Sequence, residues 1–502
     1  MKNNFLAFTL ALVLSLPKAA FAENVNQLPI VKKNINLEEI VLDKESAMDL
    51  REELGNVALV GKAAPIVDES SASEVSLENT QPPAPIQGNG FFSIFNLKGG
   101  VEKAAPTEEA PESILETEKT LVKQWLDGDY ATGKWFGARP MLDDHGVTIN
   151  SSLLYSPMMK TGGGANGEAS GKGYSLFNLG INIDTEKAHM WKGGTFFGLY
   201  QRKMGYGVSG ANGGAMGDWM GLDGWDWREM NQISEYWYQQ KLFDGKVRLK
   251  LGKQDANTDF GFLNSGWDFM NTAFSVNPTV PMPTYPDPAF GFMAEINPKE
   301  WLSIRNGTYS KFSVPFNITE IEVKPTIHKL PGRYMLGAWE MSDSNGMSVS
   351  DGLNDDGSSY YNNFNRNFGA YVGFEQMVYK ENKDDENDMQ GLTVFGQAGM
   401  SPSNRNDMCQ YVGGGLHYIG PIPKRDKDRA GIAVASGNFA SRLNYVGYDS
   451  TNRIGSETVL EAFYRVQLNP WFYLQPDVQF IMNPGGYYDN SVAIGLRSVI
   501  TF

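Results

Sequence analysis

The chain has 502 residues, a formal net charge of −15, 41% hydrophobic residues, 55 glycines and one cysteine. A single thiol excludes an internal disulfide framework, and four histidines without a spaced His/Cys cluster argue against a structural zinc site. The acidic balance argues against nucleic acid as a partner, since phosphate contacts need basic patches.

Residues 1–22 read as a secretory signal. Lys2 supplies the positive start, FLAFTLALVLSL (5–16) the apolar core, and Ala20-Phe21-Ala22 an A-x-A cleavage site. The apolar core is short for a membrane-spanning helix, and no apolar run of about 18 residues follows it. Residues 23–120 form an acidic extension with 18 acids and 8 bases. Leu37, Ile40, Val41, Met48 and Leu54 recur among charges and predict a short amphipathic helix over 37–54. Residues 61–118, rich in Ala, Pro, Glu and Ser, read as a flexible linker. The extension is either a periplasmic anchor or trimerising helix with a periplasmic partner, or a plain spacer.

From residue 147 the chain becomes a series of strand-like runs, sixteen in all. They are 147–158, 174–184, 195–204, 232–242, 247–256, 288–297, 302–310, 319–327, 333–341, 368–379, 391–400, 410–419, 429–437, 458–468, 472–482 and 491–502. The connections alternate in length. Those at 186–194, 243–246, 297–301, 328–332, 420–428 and 469–471 are short; those at 159–173, 205–231, 257–287, 342–367 and 438–457 are long. Short periplasmic turns and long extracellular loops are the pattern of a bacterial outer-membrane barrel. In SVAIGLRSVITF (491–502), Val492, Ile494, Leu496, Ile500 and Phe502 share one face, and Ser491, Gly495, Arg497 and Thr501 the other. Such a strand shows lipid an apolar face and a lumen a polar one. A soluble β-sandwich or propeller, the competing reading, has no systematic long/short alternation of connections.

Four stretches resemble the carbohydrate-selective porins of the OprB type. KWFGARPMLDDHGVTI (134–149) is similar to the family's opening segment, with Phe136 where the family usually has a second Gly. YWYQQKLFDGKVRLKLGKQDANTDF (236–260) and PTYPDPAFGFMAEINPKEWLSIRNGTY (283–309) resemble its central signature, and ETVLEAFYRVQLNPWFYLQPDVQFIMNPGG (457–486) its C-terminal one. The resemblance covers residues 121–502. It implies an all-β, sixteen-stranded antiparallel transmembrane barrel in the outer membrane, passing sugars by diffusion, surrounded by outer-membrane lipid and lipopolysaccharide and often a homotrimer. It implies no cofactor.

Strand parity selects the side chains for a sugar-binding lumen wall. Carboxylates, guanidinium groups and amides replace the sugar's water hydrogen bonds, while aromatic faces stack on its C–H surface. The candidates are Glu235, Trp237, Lys250, Arg305, Glu457, Glu461, Arg465, Asp477 and Arg497. Gln239, Lys241, Lys246, Arg248, Glu295, Glu375, Gln467, Gln475 and Gln479 are expected to point the same way, and Arg202 has ambiguous parity. Bases on the early strands and acids on the late ones predict opposed charges across part of the pore; the alternative is that these charges pair with neighbours and only hold the barrel's shape. Loop 257–287, stiffened by PTVPMPTYPDP, is expected to fold inward and set the constriction, or else to pack at the barrel mouth. Trp219, Trp225 and Trp227 are expected to stack on sugars; Asp218, Asp223 and Asp226 among them leave open a calcium-binding loop. No histidine sits in a nucleophile motif, and Glu457 and Glu461, four residues apart on a strand, stand ~13 Å apart, too far for a glycosidase pair. No enzyme is therefore expected. A general-diffusion porin and a structural tethering protein remain as alternatives.

Overall fold

The computed structural model describes residues 122–209, 215–226, 228–311, 314–353, 359–385, 388–445 and 454–502. The signal, the acidic extension and its expected helix lie outside the described residues. A helical turn at 122–126 is followed by a 3₁₀ turn, Trp135–Gly137, and helix α1, Ala138–Asp144. The wall then begins with β1 (Val147–Lys160), β2 (Ser170–Asp184), β3 (Gly194–Tyr206), β4 (Met230–Leu242) and β5 (Val247–Gln254). It continues with β6 (Ala289–Lys299), β7 (Leu302–Lys311), β8 (Val314–Val323), a two-residue β9 (Thr326–Ile327), β10 (Leu330–Leu353) and β11 (Ser359–Lys380). The last six are β12 (Gly391–Met400), β13 (Met408–Ile419), β14 (Arg429–Phe439), β15 (Ser456–Asn469), β16 (Phe472–Met482) and β17 (Ser491–Thr501).

Every strand pairs antiparallel with its neighbour in the chain, except that β8 pairs directly with β10, leaving β9 as a short spur at the turn. The first and last strands pair from Ser152↔Thr501 to Lys160↔Ala493, closing a sixteen-stranded barrel. Closure satisfies every edge amide, which hydrocarbon cannot solvate. All sixteen expected runs lie on strands. The eighth is displaced: expected over 319–327, it spans Val314–Val323, where Lys324-Pro325 ends the ladder because proline has no amide donor. Its turn closes at His328-Lys329, both at positive φ (52° and 65°) as a two-residue hairpin loop requires. The expected long loop 342–367 is replaced by a continuation of β10 and β11, paired through Leu353↔Ser359.

Alternation along the strands sorts the two faces. Tyr155, Ile181, Leu251, Phe292, Val412, Val434, Leu460, Val478, Ile494 and Leu496 are exposed on the outside, as a lipid-facing band. The inside is not an open tube. The described residues of connection 207–229 and the connection 255–288 fold into it, and the hydrophobic core lies there, between loop and wall. Phe260, Leu263, Phe269, Met270 and Phe274 of the second loop pack against Met293, Tyr309, Phe316, Phe395 and Phe463 of the wall. Small wall residues make room: a Cβ on Gly431 would stand 2.5 Å from the Phe269 ring. At the short-turn end, Ala131 N–H donates to Thr501 O, Arg139 Nη2 donates to Phe502 O, and Trp125 packs on Trp471, so the chain enters beside the closing strand.

Candidate functional site

Loop 255–288 is gripped by inward side chains from strand after strand. Gly261 N–H donates to Glu320 on β8 (2.7 Å), and Ser265 N–H to Glu375 on β11 (2.6 Å). Met270 and Asn271 N–H donate to Glu461 on β15 (2.6 and 3.0 Å), and Gln397 on β12 donates to Ala273 O (2.7 Å). The loop's carboxylates meet the wall's cations. Asp268 takes His417 (2.7 Å), Arg429 (2.8 Å) and Arg465 (2.9 Å); Asp259 takes Arg248 (2.7 Å) and Lys250 (2.9 Å). Burial alone would raise the Asp268 carboxyl, but the Arg429 and Arg465 guanidinium groups outweigh it and hold it well below the usual carboxylate range. The same contest holds Asp259 low, with Lys250 and Arg248 overcoming burial.

Loop 207–229 is held similarly. Glu457 accepts from Trp219 and Met220 N–H (2.7 and 2.8 Å) and from Gly485 N–H (2.6 Å). Asp223 accepts from Ser156 Oγ (2.7 Å) and pairs with Arg497 (2.6 Å); Asp226 pairs with Lys203 (3.5 Å). Asp218 accepts from Ser209 Oγ and Leu222 N–H. These three carboxylates, which left a calcium loop open, are thus engaged by protein donors. Trp227 lies outside the described residues.

The candidate residues sort into two groups. Arg305, Lys250, Glu457, Glu461 and Asp477 point inward as parity requires and are buried. Arg305 sits among Glu295 (2.6 Å), Glu320 (2.7 Å) and Glu322 (3.0 Å). Lys250 stands 4.5 Å over the ring of half-buried Trp237, and Asp477 accepts from Gln479 Nε2 (3.1 Å). Glu235, Arg465 and Arg497 are equally buried and hold Asp255 N–H, Asp268 and Asp223 of the loops, but they also line the space the loops leave. One secondary expectation differs, since Lys246 lies exposed in the turn before β5; the open parity of Arg202 resolves outward, between inward Gln201 and Lys203. The opposed-charge picture is also altered, because most wall charges are matched locally by a loop group.

Two chambers between loop and wall lie along β15–β17 and β1–β4. The first is lined by Gln201, Glu235, Asp255, Asn257 and Thr258 with Trp225, Phe262, Trp267 and Tyr285. The second is lined by Ser152, Asn178, Arg465 and Arg497 with Tyr473 and the same two tryptophans. Burial raises the Asp255 carboxyl despite donors from Thr284, Tyr285 and Asn257. Sequence reasoning missed Asp255, Asp259 and Asp268 as partners of the wall. Loop acids carry no periodicity, and their only signal was the surplus of inward bases on the strands.

A closed sixteen-stranded barrel with an apolar exterior and loops narrowing a polar passage is an outer-membrane porin. The family model described as "Carbohydrate-selective porin, OprB family" matches residues 173–324 and 312–502. The chain belongs to this family. It is 23% identical to Porin B of Pseudomonas aeruginosa over 76% of this chain and 91% of that one. It is 22% identical to a putative porin, QuiX, of Acinetobacter baylyi over 76% of this chain and 93% of that one. A solved structure of Pseudomonas putida OprB at high pH superposes with TM-score 0.66 at 22% identity, over 75% of this chain and 99% of that one.

Proposed function

We propose that the chain passes neutral mono- and oligosaccharides into the periplasm by weakly binding passive diffusion through the two chambers. The observation that carries the reading is their lining. Amide, hydroxyl, carboxylate and guanidinium groups stand beside aromatic faces. Such walls replace a sugar's hydration through a few polar contacts at a time, which keeps binding weak enough for release. Glu235, Arg465 and Arg497 are the residues we assign to sugar contact. Lys250, Arg305, Glu457 and Glu461 act through the loops they hold, Asp477 through Gln479, which donates to Leu222 O of a loop, and Trp237 through its contact with Lys250.

The reading assigns no catalytic step to the chain. The acidic extension is proposed as a periplasmic segment, since residue 122 emerges beside the closing strand at the short-turn end. The homotrimer implied by the family resemblance is likewise proposed, and the particle mass in detergent tests it.

The test of transport is single-channel current of the purified protein in a planar bilayer while glucose, then maltose, is titrated in. Sugar-dependent block of an open channel is the expected result. An open channel indifferent to both sugars would make it a general-diffusion porin, and absence of conductance would leave a structural role.

A further inference from the structure

We propose that Trp225 and Trp267 form the crossing between the two chambers, over which a sugar ring slides face against indole; this rests on the carbohydrate reading above. Trp225 and Trp267 are the residues common to both linings. Their rings meet edge to face at 5.5 Å and 87°, so one indole presents a face where the other presents an edge. The contact extends on both sides. Tyr285 packs edge-on against Trp225 at 4.7 Å, and Phe262 tilts against Trp267 at 5.2 Å. Four rings therefore run in series through the lumen, two of them marking the boundary between the chambers.

Each indole is held from its backbone. Trp267 lies between Ser265, bound to Glu375, and Asp268, bound to three cations of the wall. Trp225 N–H donates to Asp223, which is clamped by Ser156 and Arg497, and Trp225 O accepts from Tyr285 Oη (3.1 Å). The rings belong to different loops, yet both loops are tied to the barrel on either side of the contact. The crossing is thus a fixed part of the wall.

The chambers differ in the hydrogen bonds they offer. Glu235 and Asp255 accept in the first; Arg465 and Arg497 donate in the second. A sugar hydroxyl both donates and accepts, so a hydroxylated ring finds partners on either side. At the boundary its C–H face needs an apolar surface, which the indoles supply.

The test compares single-channel conductance and glucose block in the full-length mature protein. Trp225→Ala and Trp267→Ala are each expected to raise conductance about two-fold and to weaken glucose block about ten-fold, in keeping with stacking on an aromatic face. Trp225→Phe and Trp267→Phe keep a ring and are expected to raise conductance slightly while retaining block. Trp301→Ala, in an exposed periplasmic turn, is expected to change neither. A wild-type channel that ignores glucose overturns the carbohydrate reading, and the crossing with it. Wild-type block that survives both alanine substitutions overturns the crossing alone. Should the alanine variants fail to form heat-modifiable barrels, the phenylalanine pair decides: unchanged conductance in both rejects the crossing.

Discussion

The two sides of this barrel obey one strand rule and use it differently. On the side from β5 to β14, inward Arg248, Lys250, Arg305, Arg333, Glu320 and Glu375 face loop 255–288 or one another and are closed off from solvent by it. On the side from β15 round to β4, Arg465, Arg497, Glu235, Asn178 and Gln201 stand at the remaining space. Side chains of the same types, at the same parity, only anchor a loop in one place; in the other they anchor loop groups, as Arg465 does Asp268 and Arg497 does Asp223, and also line a passage. What separates them is where the loop's apolar face lies. Phe260, Phe269 and Phe274 need an apolar wall, and Met293, Tyr309, Phe316, Phe395 and Phe463 provide it on one side only. Burial of that face draws the loop off-centre, and the passage is what is left.

The sharpest way to break this contrast is to cut the loop's main anchor. Asp268→Ala leaves His417, Arg429 and Arg465 without their shared carboxylate. Breaking a buried ion pair from one side costs about 3–5 kcal/mol, so lowered thermal stability and a wider, noisier conductance are expected together. Wild-type conductance in that variant would separate the loop from the constriction. Glu461→Ala is next. It orphans the Met270 and Asn271 amides, each of which costs about 1–3 kcal/mol when left unsatisfied. Conductance should rise less than with Asp268→Ala, and chemical denaturation read by the electrophoretic shift would measure the stability loss. On the open side the expectation differs. Tyr473→Leu removes a ring lying 4.3 Å from the Arg465 guanidinium. Both groups are buried, and a desolvated cation–π contact is worth about 2 kcal/mol, so a smaller stability loss than with Asp268→Ala is expected together with a change in glucose block. If Tyr473→Leu destabilises as much as Asp268→Ala, the distinction between anchoring and lining groups fails.

Strand positions were legible because lipid and lumen impose a strict period of two. Leu460 and Glu461, or Leu496 and Arg497, declare their faces without any knowledge of neighbours. The role of an inward residue was not legible. Glu457, Glu461 and Glu235 all read as lumen carboxylates, and all three accept loop amides, yet Glu235 also stands at the passage. That difference depends on where Trp219, Met270 and Trp225 come to rest, which loop sequences without periodicity do not encode locally. Prolonged pairing of β10 and β11 was missed for a related reason. SDSNGMSVSDGL (342–353) sets Met347, Val349 and Leu353 among serines, aspartates and glycines, too few apolar residues to mark a strand face in the sequence.

The mildest expected effect concerns acid, and it bears on the anchoring side alone. Asp259 pairs with Arg248 and Lys250, and these cations keep its carboxyl below the ordinary value of 3.8 despite burial. A depressed folded value means that the stabilisation is fully present above the ordinary one and is lost as pH falls through the folded value. The difference in stability between the wild type and Asp259→Asn should therefore be constant between about pH 5 and 8 and shrink only in stronger acid. A difference that already narrows near neutrality would mean that Asp259 is not the anion holding Lys250 and Arg248. Equal acid sensitivity in a variant of the open side, such as Tyr473→Leu, would mean that protonation loosens the whole barrel and not this loop contact. Loss confined to the Asp259 comparison would instead show that the two sides are stabilised by separable interactions, with charge pairing dominant only where the loop covers the wall.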